Sequence, residues 1–398
     1  MKNILLIVTG SIAAYKAADL ANMMKKAGMN VNVIMTKNAC NFINPITFET
    51  LTGNKCITDT FDRDFEFKVE HISLAKQSDL VLIAPASANI IGKLANGIAD
   101  DMATTTVLAA KCPKLIAPAM NTAMFENPIV QDNLKKLEGY GFFVIDPSEG
   151  LLACGDSGKG KLPEVSDLFA HVKRAVSHTH DMKGLKVLIT AGPTCEAIDP
   201  VRYITNHSSG KMGYCLAEAA ADRGALVSLV SGRTSLKPPL YVNTVNVFSA
   251  AEMAKAVFDL EKDQDIFIFS AAVADFKPKH TADNKIKKEK GEVPVIELTR
   301  TDDILETVGK RHRKNQYICG FAMETEELLS NAAKKLEKKN ADMICANSLK
   351  EEGAGFGVDT NKITLIKKSG NTELPLLSKR EVSDLILDEI LKDLSSRG

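Results

Sequence analysis

The fold is decided by the stretch "NILLIVTGSIAAYKAADLANMMKKAGMNVNVIMT" at residues 3–36. It begins with an aliphatic run, turns at Gly10, continues as a helix-like segment with Lys16 and Asp19, and returns to a second apolar run after Gly28. Continuous apolar runs of this kind are typical of parallel strands that are covered on both faces. The stretch therefore predicts a strand–helix–strand unit, with a first strand rather than a signal peptide at the start.

The same pattern recurs in both halves of the chain. In the first half the apolar runs are "NILLIVTG" (3–10), "VNVIMT" (31–36), "DLVLIAP" (79–85), "KLIAPAM" (114–120) and "FFVID" (142–146). In the second they are "KVLITAG" (186–192), "LVSLVSG" (226–232), "IFIFSAA" (266–272), "YICGFA" (317–322) and "ADMICA" (341–346). Strands that alternate with helices predict an α/β fold with two doubly wound, mostly parallel-sheet, Rossmann-like domains.

The polar segment "VSHTHDMKG" at 176–184 separates the two halves, so we expect domains at 1–180 and 181–398. The second half opens like the first, except for about 14 extra residues, roughly "TCEAIDPVRYITNH", before its first helix. A long connection at the carboxyl end of a first strand is where open α/β sheets build ligand sites. A Ser-capped helix is predicted for "SKREVSDLILDEILKDL" at 378–394.

Composition excludes several classes of partner. The chain has 398 residues, of which 45% are apolar, and its 50 basic and 50 acidic residues give a formal net charge of zero. No global field favours nucleic acid or an anionic membrane, and no apolar run approaches the ~20 residues of a membrane span. The eight cysteines show neither a C-x-x-C pair nor a zinc spacing. We therefore expect a soluble, cytoplasmic protein with reduced thiols.

Small and hydrogen-bonding residues follow three strands of the first half. Gly10 and Ser11 lead into a helix start without the G-x-G-x-x-G fingerprint, which alone could be an ordinary tight turn. The stretches "APASANIIGKLANGIADDMATTT" (84–106) and "APAMNTAMFENP" (117–128) let backbone amides approach a planar ligand. Their P-A-S-A-N and P-A-M-N-T-A-M motifs resemble those of the flavin-containing cysteine decarboxylases. One departure is Ile90, where that pattern expects Thr and a hydroxyl contact near the flavin.

Two further segments sharpen the resemblance. "VEHISLA", with His71, and "ACGDSGKG", with Cys154, are similar to segments of the phosphopantothenoylcysteine decarboxylases. Together with the second half, nearly the whole chain resembles the bifunctional family that fuses this decarboxylase to a phosphopantothenate–cysteine ligase for coenzyme A synthesis. The resemblance implies a flavodoxin-like domain that binds FMN, a nucleotide-binding ligase domain, and a homo-oligomer with active sites at subunit interfaces.

The resemblance also implies site residues in the first domain. The predicted FMN contacts are Gly10, Ser11, Thr36, Ser87, Asn89, Met102 and Thr104. Oxidation of the cysteine moiety of the substrate gives the electrons of the departing carboxylate a sink, and a hydride and a proton must then return. Cys154 is expected to supply that proton, His71 to act as a base or to orient the substrate, and Asn121 to bind the carboxylate.

Each of these three residues also has an ordinary structural interpretation. "LLACGDSGKG" at 151–160 fails the Walker pattern, and the expected compartment disfavours a disulfide, which leaves a thiol on a flexible Gly-containing flap or a small buried cysteine. His71 could be a hydrogen-bonded residue at a helix start, and Asn121 a capping residue. The family motifs favour the catalytic interpretation in all three cases.

The second half carries a different set of motifs. "TNHSSGKMG" (205–213) places hydrogen-bond donors and Lys211 at a helix start, which could be an anion site or an ordinary Ser-capped helix. "SAAVADFKPKHTADNKIKKEKGE" (270–292) has a lysine-rich loop, which is most often a solvated surface. By resemblance to the ligases, Asn206 handles the acyl-nucleotide intermediate and Lys285 contacts the phosphates. The other predicted nucleotide contacts are Ala271, Ala272, Val273, Asp275, Asp302, Asp303, Ile304, Leu305, Phe321, Lys335 and Lys339.

The implied ligase chemistry uses 4'-phosphopantothenate, cysteine and CTP, with Mg²⁺. CMP is transferred to the carboxylate of 4'-phosphopantothenate with loss of pyrophosphate, and the amine of cysteine then attacks. One departure is Cys195, where members of the family commonly carry Arg, and Arg202 cannot be assumed to replace it. Two alternatives are an NAD(P)-dependent oxidoreductase, disfavoured by the missing G-x-G-x-x-G, and a non-catalytic flavin-binding regulatory protein, disfavoured by the presence of His71, Asn121 and Cys154.

Overall fold

The alternating strands and helices form two units, Met1–His178 and Thr179–Gly398, each with its own largely parallel sheet. The computed structural model describes residues 1–60, 70–153, 155–177, 180–287, 295–311, 313, 315–324, 328–348, 355 and 357–397. Within these residues, no helix is both long enough and apolar enough to cross a membrane.

The first unit contains eight strands and eight α-helices among its described residues. The strands are β1 (Asn3–Val8), β2 (Asn30–Met35), β3 (Cys56–Ile57), β4 (Leu80–Ala86), β5 (Lys114–Pro118), β6 (Phe142–Val144), β7 (Ser148–Leu151) and β8 (Ser157–Lys161). The helices are α1 (Ala14–Lys26), α2 (Pro45–Thr52), α3 (Glu70–Gln77), α4 (Ala88–Ala95), α5 (Met102–Ala109), α6 (Thr122–Phe125), α7 (Pro128–Gly139) and α8 (Val165–Val176).

Six of these strands form a parallel sheet in the order β3-β2-β1-β4-β5-β6. If the two-residue strand β3 is set aside, the remaining strands have the 2-1-3-4-5 order of flavodoxin-like domains. β7 and β8 pair antiparallel as a separate hairpin. The predicted doubly wound α/β architecture of this unit is therefore confirmed.

Strand β1 shows why the sheet is covered on both faces. Ile4, Leu6 and Val8 pack in one apolar cluster with α1 and α8, whereas Leu5 and Ile7 pack in another with α4, α5 and α7. All five side chains are fully buried. Full burial of such a side chain contributes about 1.5–3 kcal/mol, so this strand cannot be moved to an edge of the sheet without a large loss of stability.

The strand order reverses between β1 and β4, and the carboxyl ends of these strands are hydrogen-bonded to each other. The hydroxyl of Thr9 donates to the carbonyl of Pro85 (2.7 Å), and the backbone N–H of Ser87 donates to Thr9 Oγ1 (2.9 Å). Open α/β sheets bind ligands in the crevice at such a reversal. The fold therefore places the loops after β1 and β4 at one candidate site.

The second unit is larger. Its strands are β9 (Lys186–Ala191), β10 (Cys195–Ala197), β11 (Tyr203–Thr205), β12 (Leu226–Ser231), β13 (Val242–Asn246), β14 (Ile266–Phe269), β15 (Phe276–Pro278), β16 (Leu298–Arg300), β17 (Tyr317–Glu324), β18 (Met343–Ser348), β19 (Thr360–Asn361), β20 (Ile363–Lys367), β21 (Gly370–Glu373) and β22 (Leu377–Ser378). Its helices are α9 (Lys211–Asp222), α10 (Ala250–Leu260), α11 (Ile304–Arg311), α12 (Leu328–Lys338) and α13 (Lys379–Arg397).

The main sheet of this unit has the order β13-β12-β9-β14-β17-β18-β20-β21. It is parallel from β13 to β18, with a second reversal of strand order between β9 and β14. The sequence did not predict β20 and β21, which add antiparallel strands at one edge. The segment inserted after β9 forms the antiparallel pair β10–β11.

The predicted C-terminal helix is present as α13. The Ser378 hydroxyl accepts a hydrogen bond from the Glu381 N–H (3.2 Å), and a Glu381 carboxylate oxygen accepts one from the Ser378 N–H (2.9 Å). This reciprocal pair is a capping box. Val382, Ile386 and Ile390 are buried in the core shared with α9 and the sheet.

Candidate functional site

A cleft of about 540 Å³ lies at the carboxyl edge of the first sheet. Its walls come from the turns after three parallel strands and from the β7–β8 hairpin. The lining residues include Gly10, Ser11, Ile12, Ala13, Tyr15, Lys16, Phe42, Ser87, Ala88, Ala119, Met120, Asn121, Met124, Leu151, Leu152, Ala153, Gly160, Lys161 and Leu162. The parallel sheet thus brings together segments that are far apart in the sequence.

One part of the cleft is suited to an anion. Gly10 and Ser11 lie just before α1, and a Cβ atom at Gly10 would lie 2.6 Å from Asn38 Cβ, so a larger residue could not form this turn unchanged. Ser87 is the N-cap residue of α4, yet its side chain makes no capping hydrogen bond to that helix. Helix N-termini favour negative charge, and an uncommitted hydroxyl adds a donor.

Another part of the cleft is suited to a flat apolar ring. Tyr15, Phe42 and Met124 are large, exposed apolar side chains in its lining, and Ala88 and Ala119 add small ones. Near the hairpin, Thr122 Oγ1 is buried and has no hydrogen-bond partner within the described structure. The anion donors and apolar walls of the cleft together fit a phosphorylated planar cofactor such as FMN.

The β7–β8 hairpin is docked on the P-A-M-N turn. The Met120 N–H donates to the Gly160 carbonyl (3.0 Å), and a Cβ atom at Gly160 would lie 2.3 Å from the Met120 carbonyl oxygen. Only glycine permits this approach. The described residues of the segment 151–160, predicted as a flexible flap, belong to or adjoin the paired strands β7 and β8.

Asn121 links this turn to the tip of the hairpin. Its side-chain oxygen accepts from the Ala123 N–H (2.9 Å) and caps α6, while its amide nitrogen donates to Asp156 Oδ2 (2.7 Å). The capping interpretation is thus correct, and the amide group also faces the segment that carries the predicted acid. Cys154 itself lies outside the described residues.

The other residues predicted for this site lie on different elements. His71 is the second residue of α3, which packs against α5. At the start of α5, Met102 is buried in the core and Thr104 forms a capping box with Asp101. None of these three is among the described residues that line the cleft. Gly10, Ser11, Ser87 and Asn121 are brought together there.

Three further positions, the predicted FMN contacts Thr36 and Asn89 and the departure Ile90, are not among the described residues that line the cleft. Thr36 Oγ1 accepts from the Ala39 N–H (3.4 Å) and caps the turn after β2. Asn89 is exposed on α4. Ile90, the departure from the family motif, is 1% exposed and packs in the core of the first unit. An isoleucine there adds to the core.

A second cleft, of about 460 Å³, lies at the carboxyl edge of the second sheet. Most of the residues predicted to bind the nucleotide line it, namely Ala271, Val273, Asp275, Asp302, Asp303, Ile304, Leu305, Phe321, Lys335 and Lys339. Ala272 lies in the same turn, where its N–H donates to the Gly192 carbonyl (2.9 Å). These residues come from the segments after β14 and β16, from α11, from β17 itself (Phe321), and from α12 and the residue that follows it (Lys335 and Lys339).

The lysines of this cleft are held by defined partners. Lys339 is only 8% exposed, and its ammonium donates to Asp303 and to Glu306 (2.7 Å). Burial lowers the pKa of Lys339, but these two carboxylates outweigh burial and raise it. Lys335 donates to the Phe321 carbonyl (2.9 Å). Both lysines are part of the cleft wall rather than ordinary surface charge.

Glu306 stays ionised for the same reason. Hydrogen bonds from Lys310 and then from Lys339 lower the pKa of Glu306 to about 2. The Lys339 charge is therefore compensated in this structure by carboxylates. Lys339 stays protonated at neutral pH, because its pKa is raised. A bound polyanion would have to compete with Asp303 and Glu306 for the ammonium group.

Asn206 is tied to the turn after β14. Its amide nitrogen donates to the carbonyls of Val273 (3.0 Å) and Ala272 (3.4 Å). Nearby, α9 begins after Gly210, but Lys211 pairs with Asp359 (2.7 Å) and donates to Gly357. The Lys211 ammonium is thus engaged by a C-terminal loop.

Lys285 and Cys195 are not among the described residues that line the second cleft, and Cys195 is the first residue of β10. Lys285 is exposed in the loop 281–287, next to Ile286, which is hydrogen-bonded to Asp199 and Arg202. Cys195 is 2% exposed, with its thiol 3.6 Å from Thr205 Oγ1. Arg202 is committed to Asp199, which places its guanidinium away from the position of the departure at Cys195.

Comparison with known proteins agrees with this two-unit arrangement. Residues 1–177 match the family model "Flavoprotein", and residues 182–394 match "DNA/pantothenate metabolism flavoprotein C-terminal domain". The chain is 50% identical over 396 residues to the coenzyme A biosynthesis bifunctional protein CoaBC of Bacillus subtilis (strain 168), covering 98% of this chain and 96% of that protein. The chain belongs to this bifunctional coenzyme A biosynthesis family.

Other members of the family are also similar along their whole length. The protein of the same name from Haemophilus influenzae (strain ATCC 51907 / DSM 11121 / KW20 / Rd) is 43% identical over 391 residues, covering 98% of this chain and 97% of that one. A crystal structure of the C-terminal domain of a bifunctional protein with this name is 46% identical, covers 55% of this chain and 100% of that chain, and has a TM-score of 0.48.

Sequence reasoning missed several residues that line the two clefts of this family member. In the first unit these are chiefly Tyr15 and Phe42, and in the second Glu306 and Arg300. Tyr15 carries a signal, because an aromatic residue stands among alanines in the first turn of a helix. No sequence pattern indicates that Glu306 lines the cleft, because this depends on the approach of α11 to Lys339 in the folded chain.

Proposed function

We propose that this chain is a bifunctional enzyme of coenzyme A biosynthesis that operates in the cytoplasm. Its second unit joins cysteine to 4'-phosphopantothenate, and its first unit decarboxylates the resulting 4'-phosphopantothenoylcysteine to 4'-phosphopantetheine. The proposal is carried by one observation: a single chain of this family holds both the Asn121 turn docked under the hairpin and the lysine-lined cleft of the second unit. Each cleft suits one of the two reactions.

In the ligase reaction, CTP is the cosubstrate. A carboxylate resists attack by an amine, so the carboxylate of 4'-phosphopantothenate first displaces pyrophosphate from CTP and becomes an acyl-cytidylate. The amine of cysteine then displaces CMP and forms the amide bond. Lys339 and Lys335 would hold phosphoryl oxygens in the cleft, and Lys285 would neutralise charge that develops on them.

Mg²⁺ would accompany CTP. This ion commonly binds through substrate phosphates and one or two carboxylates, so it needs no preformed protein cage. The described residues contain no cluster of three or more metal-ligating side chains, while Asp275 and Asp302 line the cleft as single carboxylates. The chemistry of this donor set is compatible with a magnesium ion that arrives with the nucleotide.

In the decarboxylase reaction, the cleft of the first unit would hold FMN. Gly10, Ser11 and Ser87 would bind its phosphate, and Tyr15, Phe42 and Met124 would border its ring. When bound, FMN supplies reversible two-electron oxidation and reduction of the substrate. Asn121 would donate a hydrogen bond to the substrate carboxylate, and Cys154 would give a proton to the product-forming carbon.

His71 would act from a different element. It lies on α3, which packs against α5, the helix whose first turn holds Met102 and Thr104. We infer that these residues complete the flavin site of a second copy of the chain, so that the enzyme is a homo-oligomer with active sites between subunits. His71 would then serve as a base or orient the substrate for oxidation.

The two alternative functions are less well supported. An NAD(P)-dependent oxidoreductase would need a dinucleotide site, but Gly10 is followed by a single helix start without the glycine fingerprint. A non-catalytic flavin protein would not need the Asn121 amide aimed at the hairpin tip. Family membership over nearly the full chain favours the bifunctional enzyme over both.

One experiment tests the whole proposal. The purified chain, incubated with 4'-phosphopantothenate, cysteine, CTP and Mg²⁺, should form 4'-phosphopantetheine, identified by mass spectrometry, with stoichiometric release of CMP, pyrophosphate and carbon dioxide. Omitting cysteine should leave a small amount of acyl-cytidylate. If the chain with added FMN forms neither the amide nor the decarboxylated product, the proposed function is wrong.

Changing Asn121 should separate flavin binding from catalysis. In Asn121→Asp the carboxylate can still cap α6, but it replaces a donor that lies 2.7 Å from Asp156 Oδ2 and that, in the proposed reaction, binds the substrate carboxylate. We expect decarboxylation to fall about 100-fold, as for loss of one preorganised donor, with FMN still bound. Steady-state carbon dioxide release and the flavin absorbance would be measured.

Asn127→Asp is the matched control for that change. Asn127 caps α7 in the same way, because its side chain accepts from the Ile129 N–H (2.9 Å). It does not line the cleft among the described residues. This control should keep nearly full activity, and an equal loss in both variants would refute a specific role for Asn121.

A further inference from the structure

Asp199 is a buried carboxylate in the turn between β10 and β11. It is only 2% exposed. Its Oδ1 atom accepts from the backbone N–H groups of Val201 (2.9 Å) and Arg202 (2.8 Å). Its Oδ2 atom accepts from the guanidinium of Arg202, with 3.0 Å to Nε and 2.5 Å to the terminal nitrogen. The carboxylate therefore organises the turn 199–202.

The same carboxylate reaches a second loop, 87 positions later in the chain. The Ile286 N–H donates to Asp199 Oδ2 (3.1 Å), and the Arg202 guanidinium donates to the Ile286 carbonyl (3.0 Å). The Asp199–Arg202 pair thus binds both the N–H and the C=O of the residue that follows Lys285. Lys285 is held by its neighbour's backbone while its own side chain stays exposed.

Two further hydrogen bonds extend this docking along the loop. The Ala282 N–H donates to the Ile198 carbonyl (3.0 Å), and the Thr281 hydroxyl donates to the Ala197 carbonyl (3.2 Å). The loop 281–287 is therefore attached at both its beginning and its end to the β10–β11 turn. A loop that leaves the sheet and carries several lysines would otherwise have little to fix its path.

The Asp199–Arg202 ion pair, which holds the Ile286 backbone and is called the clasp below, stays charged. Hydrogen bonding to Arg202, opposed by burial and assisted by the backbone N–H groups of Val201, Ile286 and Arg202, holds the pKa of Asp199 well below its usual value. Asp199 therefore remains a carboxylate at any pH at which the enzyme works. It does not serve as a proton donor, so its contribution must come through what it holds.

We propose that Asp199 is a positioning residue for the ligase reaction, acting through the Ile286 backbone to hold Lys285 where it meets the phosphoryl groups of CTP. This proposal rests on the proposed function of Lys285. A misplacement of about 1 Å can cost on the order of 100-fold in rate, because the lysine must neutralise charge that develops only during the reaction. The clasp would therefore affect turnover more than nucleotide binding.

The test is a double-mutant cycle with Asp199→Asn and Lys285→Gln. The asparagine keeps the shape and one acceptor oxygen. Its NH₂ group would face the Ile286 N–H and the Arg202 guanidinium, so the hydrogen bonds that Asp199 Oδ2 accepts from these two groups are lost. We expect ligase kcat to fall at least tenfold, with KM for CTP changed less than threefold. In the Lys285→Gln background, measured with enzyme in excess over substrate, the same change should have almost no further effect.

The control and a second variant keep the test decisive. Asp283→Asn removes an equal charge from the same exposed loop without touching the clasp, and it should leave ligase kcat within threefold of the parent. If Asp199→Asn does not fold, Thr281→Val removes a separate docking bond, and it should lower kcat two- to fivefold only when Lys285 is present.

Each outcome has a distinct meaning. A loss that disappears in the Lys285→Gln background supports the clasp. An unchanged kcat, or an equal loss in both backgrounds, overturns it. If Lys285→Gln alone leaves ligation unaffected, the role of Lys285 in the proposed function fails, which this cycle distinguishes from failure of the clasp.

Discussion

Replacement of Cys154 with serine is expected to stop the formation of 4'-phosphopantetheine while carbon dioxide release continues. Serine keeps the size of the side chain but is a far weaker acid than a thiol, whose usual pKa is about 8.5. Loss of a positioned acid costs about 10²–10⁴-fold in the step that needs it. Oxidation and decarboxylation precede that step and leave their two electrons on FMN, so one equivalent per flavin of an oxidised, decarboxylated product two hydrogens short of 4'-phosphopantetheine should form. More should accumulate where dissolved dioxygen reoxidises the flavin, and mass spectrometry would detect it.

Cys40→Ser is the control for this prediction. The Cys40 thiol is half-buried in the same unit and donates to the Thr36 carbonyl (3.6 Å), a bond that a hydroxyl can also make. Cys40 is not among the described residues that line the first cleft, so the Cys40→Ser variant should form 4'-phosphopantetheine as the parent does. Normal 4'-phosphopantetheine formation by Cys154→Ser at the parental rate would contradict the assignment of Cys154 as the acid.

The parallel strands could be predicted from the sequence, because burial on both faces leaves a continuous apolar signal. Each of the apolar runs predicted in the two halves overlaps one strand of a main sheet, whereas the edge strands β3 and β13 were not predicted. The added strand β21 was missed because "GNTE" at 370–373 is polar and exposed, so it carries no periodic apolar signal. Strand β20, "ITLIK" at 363–367, does carry an apolar signal and was overlooked together with β21. Their pairing depends on the edge that β18 offers, which is a tertiary feature.

Strand ends made one part of the candidate sites predictable from the residues alone, and resemblance to the family supplied others, such as Lys335 and Lys339. Ser87, Asn121 and Val273 each follow a parallel strand, and the carboxyl ends of such strands meet at one edge. The Lys339 ion-pair cluster was not predictable, because it needs α11 and α12 to approach each other. The same limit applies to Asp199, whose partner Ile286 is distant in sequence and joined to it only by the fold.

Replacement of Lys285 with glutamine is expected to remove the ligase activity and to spare the decarboxylase. The glutamine side chain can still donate a hydrogen bond, but it cannot neutralise charge on phosphoryl oxygens as CMP is transferred. We expect ligase kcat to fall about 10³-fold or more, which corresponds to about 4 kcal/mol of transition-state stabilisation. Pyrophosphate release would report the ligase, and carbon dioxide release from supplied 4'-phosphopantothenoylcysteine would report the decarboxylase.

Lys287→Gln provides the matched control, because it removes the same charge from the same loop and Lys287 is likewise exposed. If the loop acted only through its overall positive charge, both variants would lose activity equally and added salt would mimic them. If Lys285 has a defined position, held through Ile286, only Lys285→Gln should show the large loss. Equal impairment of ligation and decarboxylation by Lys285→Gln would instead show that Lys285 does not belong specifically to the ligase site.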